Sequence, residues 1–196
     1  MQYSTFAAID IGSYDVILEI FEISKKQGIR SVDKICHRME LGKDTYTLGK
    51  IRPEMEEELC RVLADFVRIM EGYRVDDYRA TASSAISEAS NSLYVLGKIH
   101  QLTGLSVTVL SNSEQRFLSY KALAAMEDNF NKIIEKGTAI LDLDGGSFQI
   151  SLFDKDALVT TQNIRMGSLR IRERLAGIQS ETEHYEEMVE ELIWNE

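Results

Sequence analysis

The feature that most constrains this chain is a segment that occurs twice. Asp10–Glu22 (DIGSYDVILEIFE) and Asp142–Asp154 (DLDGGSFQISLFD) align without a gap, 132 residues apart. Asp10 matches Asp142, Ile11 matches Leu143, Leu18 matches Ile150, Ile20 matches Leu152 and Phe21 matches Phe153. Each copy reads as an apolar strand ending in Asp, a Gly/Ser turn, and a second strand leading away. Such a turn suits a phosphate: glycines let the backbone come close, turn N–H groups converge on its oxygens, and Ser adds a hydroxyl. The acid at the strand end can position a Mg²⁺ that neutralises the phosphate charge. One Asp-x-Gly-Ser turn is usually an ordinary β-turn. Two in matching context predict two similar lobes facing each other across a phosphate-sized cleft.

The intervening chain alternates strands with helices, the signature of an α/β fold. Strands are expected at Thr5–Ile11, Val16–Ile23, Ile29–Met39, Tyr78–Ala82, Leu105–Leu110, Thr138–Leu143, Phe148–Phe153 and Leu158–Ile164. Pro53, followed by Glu54, Glu56, Glu57 and Glu58, opens a helix that suits the dipole and runs to Gly72. Its apolar stripe is Met55, Leu59, Val62, Leu63, Phe66, Val67 and Met70. A helix around Leu93–Leu102 closes at Gly104, and a long one covers Ser113–Ile134 with Gly137 beyond it. Two helices end the chain. With one proline and no Gly/Ser-rich linker, a lobe over 1–136 is expected to pass directly into a second over 137–196.

Charge narrows the partners. The chain of 196 residues carries a formal net charge of −10, which disfavours nucleic acid and anionic membrane surfaces. Seven glutamates fall within 181–196, a stretch with no Lys or Arg, so the preceding residues hold only −3. Cys36 and Cys60 are too few for a disulfide framework, and His37, His100 and His184 show no metal-ligand spacing. No leader or membrane span is visible, and the expected location is the cytoplasm.

Four blocks, in order, resemble the exopolyphosphatase and guanosine-pentaphosphate phosphohydrolase (Ppx/GppA) family of the actin-like ATPase superfamily. Ala7–Ser13 (AAIDIGS) is similar to its first phosphate loop, AxIDxGSNS, and Ala82–Asn91 (ASSAISEASN) to ATSALREAxN. Leu110–Arg116 (LSNSEQR) resembles ISGxEEA, and Asp142–Gln149 (DLDGGSFQ) resembles the second loop, DIGGGSTE. Arg165–Arg170 (RMGSLR) fits a later segment that approaches the phosphates through a glycine. The resemblance implies ribonuclease H-like/actin-like lobes, the first complete and the second cut short. It also implies Mg²⁺ and a polyanionic substrate, polyphosphate or a phosphorylated nucleotide such as guanosine pentaphosphate, and a homodimer is counted among the partners. By the same resemblance, Gly12, Ser13, Tyr14, Ser87, Gly145, Gly146 and Ser147 bind phosphate. Asp10, Asp142 and Gln149 hold the metal, and Gln115 or Glu114 positions the water.

The departures fall on those working positions. Gln115 stands where the family's base glutamate lies, and an amide cannot accept water's proton at neutral pH. Neighbouring helical residues point about 100° apart, so Glu114 is a poor substitute. Ser87 replaces an arginine, Gln149 a glutamate, and Tyr14-Asp15 an Asn-Ser pair. Asp144 replaces a loop glycine and brings a negative charge to where phosphate should come close. Three readings follow: a phosphoanhydride hydrolase with weak or lost activity, a degenerate sensor of a phosphate ligand, and a partner-binding module on the same fold.

Overall fold

In the computed structural model, residues 3–127, 129–176 and 184–195 are described. They fall into two compact units, Met1–Ser111 and Asn112–Glu196. The division lies at the start of the long helix that the sequence assigned to the first lobe, and this helix goes with the second unit.

The first unit is built on a mixed sheet in the order β3-β2-β1-β4-β5. β1 (Ser4–Ile11), β2 (Asp15–Ser24) and β3 (Gly28–Arg38) form an antiparallel meander. β4 (Asp77–Ala82) runs parallel to β1, and β5 (Val107–Val109) parallel to β4. Strand alternation sends Ala7, Ile9 and Ile11 of β1 and Val16, Leu18 and Ile20 of β2 into one core. Leu59, Leu63, Phe66 and Met70 of α2 (Pro53–Tyr73) and Val95 and Ile99 of α4 (Ser92–Thr103) belong to the same cluster. Glu56 of α2 is 3% exposed and pairs with Lys98 of α4; that carboxylate holds the ammonium above its ordinary pKa range.

Two elements of this unit differ from expectation. α1 (Leu41–Leu48) has a mixed sequence with no apolar stripe, because tertiary contacts hold it. Leu41 is fully buried, and the buried Asp44 takes Arg52 through side chain and backbone at 2.9–3.0 Å. α2 also runs past Gly72. Arg74 ends it in a left-handed conformation, with Val75 N–H donating to the Met70 carbonyl.

The block Ala82–Asn91 turns out to be a joint. Ser84–Ser87 forms the single turn α3. Asn91 then clamps the loop before α2 by donating to the Ile51 carbonyl (2.8 Å) and accepting the Ile51 N–H (3.0 Å).

The second unit is an antiparallel sheet, β6-β7-β8, of β6 (Thr138–Leu143), β7 (Phe148–Asp154) and β8 (Ala157–Ile164). Lys155 and Asp156, both at positive φ (50° and 61°), make the two-residue turn between β7 and β8. The expected single helix over Ser113–Ile134 is two, α5 (Asn112–Met126) and α6 (Phe130–Ile134). No residue of α5 is fully buried and only Ile134 of α6 is, so no continuous apolar stripe holds the segment straight. α7 (Ser168–Leu175) and α8 (Tyr185–Trp194) follow. Glu181, Glu183 and Glu196 of the acidic tail lie outside the described residues. On α8, Ile193 and Trp194 are exposed. Leu141, Leu143 and Leu152 face away from α5 and are 41–62% exposed.

Both cysteines are free, Cys36 exposed and Cys60 buried. Among the described residues, no helix is long and apolar enough to cross a membrane.

Asn91→Ala leaves both backbone groups of Ile51 without their side-chain partner, so urea unfolding should record a loss of about 1–3 kcal/mol. A change within experimental error would mean that the 49–52 loop is held by other contacts.

Candidate functional site

The two Asp-Gly-Ser turns are built differently. In the first unit, Gly12 N–H donates to the Asp15 carbonyl at 3.0 Å, and a Cβ at Gly12 would lie 3.0 Å from that oxygen. The turn requires glycine for this close approach. Ser13 is 6% exposed, and its hydroxyl lies 2.6 Å from Tyr46 Oη and 3.4 Å from Ser84 Oγ. Tyr46 Oη and Ser84 Oγ are 2.8 Å apart, which closes a three-hydroxyl cluster. The Ser13 and Tyr14 carbonyls accept from Gly42, Met39 and Glu40 and so fix the entry to α1. Arg38 stacks over the Tyr14 ring, 5.0 Å from its centroid. Asp10 sits exposed at the end of β1, opposite Ile17 and Thr81, and Ser87 is exposed at the end of α3.

In the second unit, Asp144 lies half-buried and turns back onto its own loop. Its Oδ1 accepts the Gly146 N–H at 2.5 Å and the Ser147 N–H at 2.8 Å. Its Oδ2 accepts from Gln115 Nε2 at 3.3 Å. The charge that replaces a glycine in the sequence therefore sits on the N–H groups that make such a loop an anion cradle. It is neither idle in solvent nor left to repel without compensation.

The loop carbonyls are fixed as firmly. Ser168 N–H donates to the Asp144 carbonyl (2.9 Å), Leu169 and Arg170 N–H to that of Gly145 (3.0 and 3.2 Å), and Arg170 Nε to that of Gly146 (2.7 Å). The N-terminal N–H groups of α7, which lack helical partners, are met by the loop. Gly167 makes the approach possible, since a Cβ there would fall inside the Gly145–Gly146 peptide.

Helix α5 covers one face of the second sheet with polar contacts. Ser119 Oγ donates to Asp142 Oδ2 at 3.2 Å, Tyr120 Oη to Ser151 Oγ, and Arg116 to Thr161 Oγ1. Gln149 is 3% exposed, opposite Asp142 in register, and its Oε1 has no hydrogen-bond partner. A buried oxygen without a donor, beside a carboxylate, suits an oxygen-ligated cation, so Asp142 and Gln149 fit the Mg²⁺ that the resemblance implies. Among the described residues no cluster of three or more His, Cys, Asp or Glu forms a metal cage. The donor set is one carboxylate with neutral oxygens.

The sequence profile of the Ppx/GppA phosphatase family matches residues 19–195. The chain belongs to this family. Among curated proteins it is 22% identical over 174 residues to a bifunctional 3-dehydroquinate synthase/phosphatase of Fusobacterium nucleatum, covering 86% of this chain and 26% of that one. It is 25% identical over 144 residues to exopolyphosphatase 1 of Mycobacterium leprae, covering 73% of this chain and 41% of that one. The crystal structure of the Aquifex aeolicus Ppx/GppA family member superposes with a TM-score of 0.71 at 24% identity, over 88% of this chain and 54% of that one. The chain thus spans about a quarter to two-fifths of these curated relatives. The structural likeness shows a shared α/β fold.

Of the site residues expected for a Ppx/GppA protein, the second unit gathers Gln115, Gly145, Gly146 and Ser147 around Asp144, with Asp142 and Gln149 on the adjoining strands. Glu114 is exposed in the first turn of α5. In the first unit Ser13 faces Tyr46 and Ser84. Tyr46 and Ser119 were not anticipated, and Arg116 and Arg170 stood within motif blocks without a role of their own. The signal for Arg116 and Ser119 was a polar run, Gln115-Arg116 and Ser119-Tyr120, on the helix face where apolar spacing is the usual guide.

Gly167→Ala should force α7 off the second loop and cost about 1–3 kcal/mol or more in thermal unfolding. An unchanged melting temperature would show that α7 can withdraw without cost.

Proposed function

We propose that the protein is a phosphoanhydride hydrolase of the exopolyphosphatase type, acting on polyphosphate or guanosine pentaphosphate, whose second loop is gated by Asp144 and therefore turns over slowly. The observation that carries this reading is the Asp144 carboxylate on the Gly146 and Ser147 N–H groups. Kinship with proteins named exopolyphosphatase supports the substrate class.

An incoming phosphate oxygen needs the same two donors. It must displace Asp144, exchanging one anion for another at the same N–H groups, and each charge-assisted hydrogen bond exchanged is worth about 1.5–3 kcal/mol. The gate therefore weakens phosphate binding. Once displaced, the carboxylate remains beside Gln115, whose amide orients the attacking water while Asp144 takes its proton. One side chain thus serves as both plug and base, which limits the rate. Asp142 and Gln149 would hold Mg²⁺, and the ion would supply charge neutralisation for the transferred phosphoryl group.

The Gln115–Asp144 hydrogen bond favours a second reading, binding without turnover, because both groups are engaged with each other. Phosphate release and thermal shift with tripolyphosphate separate the two. Stabilisation by tripolyphosphate without release supports a sensor; neither effect removes both readings.

The two substitutions in contact make a further test. Asp144→Gly should tighten tripolyphosphate binding by about tenfold or more and lower turnover. Gln115→Glu alone should not raise turnover, since it sets two carboxylates at hydrogen-bond distance, a repulsion of a few kcal/mol before solvent screening. Combined, Gln115→Glu and Asp144→Gly restore a base on α5 over an open loop, and turnover should exceed wild type by about tenfold. Additive effects in this cycle would show that the two positions act independently.

A further inference from the structure

Among the described residues of the second unit, three buried polar atoms have no hydrogen-bond partner: Gln149 Oε1, Asn163 Oδ1 and Arg116 Nε. They are grouped. Gln149 on β7 stands directly opposite Asp142 on β6 and Asn163 on β8, so the three side chains form one row across the sheet. Cβ atoms of such neighbours lie about 4.5–5.5 Å apart. The row lies under α5, where Ser119 meets Asp142 and Arg116 meets Thr161, two residues along β8 from Asn163.

A donor count shows what the row lacks. The Gln149 and Asn163 amide nitrogens and Arg116 Nε are all donors, yet as placed neither amide oxygen accepts from any of them, and Arg116 Nε has no acceptor. Both oxygens are buried without a donor, that of Gln149 beside the Asp142 carboxylate. A hard cation meets a carboxylate and neutral carbonyl-type oxygens together. Gln149 and Asp142 belong to the repeated loop; Asn163 belongs to no motif of the sequence.

We propose that Asn163 Oδ1 is a third oxygen ligand of a divalent-cation site shared with Asp142 and Gln149, an inference that rests on reading this loop as a Mg²⁺-assisted phosphate site. One carboxylate and two amide oxygens leave about half of an octahedral shell for water and phosphate oxygens. The site is therefore weakly charged by itself and binds its cation more tightly when a phosphate chain is present. The rival occupant is a water molecule that accepts from Arg116 Nε and donates to both amide oxygens.

Mn²⁺, a paramagnetic stand-in for Mg²⁺, gives a readout independent of activity. The full chain is titrated with Mn²⁺ by electron paramagnetic resonance, with and without tripolyphosphate, as wild type, Asn163→Leu and Asn163→Asp. The expected result is Mn²⁺ binding strengthened by tripolyphosphate, weakened roughly tenfold or more in Asn163→Leu, and tightened by a similar factor in Asn163→Asp. Should Asn163→Leu fail to fold, the gain in Asn163→Asp decides. Both variants titrating as wild type, or a wild type that binds no Mn²⁺, overturns the proposal; the former result assigns the row to water. Phosphate release alongside variants that titrate as wild type would sink the Asn163 assignment alone. Mn²⁺ binding that responds to Asn163 but not to tripolyphosphate, with no phosphate release, would leave the cation site standing and remove the hydrolase reading.

Discussion

A carboxylate bonded to two backbone N–H groups of its own turn organises the second unit. Asp144 fixes the turn from within, and once the turn is fixed its carbonyls can receive the N-terminus of α7 and the Arg170 guanidinium. The same side chain reaches Gln115, so α5 is tied to the loop from the other side. Strand end, loop and two helices meet through one residue. An anion is the natural occupant of converging N–H groups, and here the chain provides its own.

The first loop reaches a comparable state by another route. Its serine hydroxyl is satisfied by Tyr46 and Ser84, and its carbonyls hold the entry to α1. The surroundings differ as well. The first loop leads back into a continuous apolar core, whereas the second lies beneath a helix that meets the sheet through hydrogen bonds and a single aromatic edge contact, Tyr120 on Phe153, among the described residues. Hydrogen bonds between half-buried groups contribute less, net, than closely packed apolar surface. The second unit is therefore the one whose site can rearrange at lower energetic cost.

The repeat and the alternation of apolar residues made the strands legible, because a period of two needs no knowledge of partners. Thr138–Leu143 matches residue for residue, and Pro53 marks the start of α2. α1 was not legible, since its stability comes from Leu41 and a buried Asp44–Arg52 pair instead of a stripe. The break between α5 and α6 falls at Glu127-Asp128-Asn129, where Asp and Asn favour a cap over a helix interior, a short signal lost within a long helical run. At the site, the identity of Asp144 was plain and its direction was not. A side chain in a turn can face outward or fold back, and hydrogen-bond geometry decides between them. Asn163 was invisible because its role depends on strand register, which links it to a residue 14 positions earlier in the chain.

Gly167 bears on how related chains should be compared. It carries no proton, charge or ligand, yet the peptide it faces leaves no room for a side chain. Selection at this position would act on backbone clearance alone. A chain that had lost every reactive group could still keep this glycine for as long as it kept α7 against the loop. A glycine at this position would therefore mark only that the loop is still assembled, and working chains must be told from silent ones at other positions.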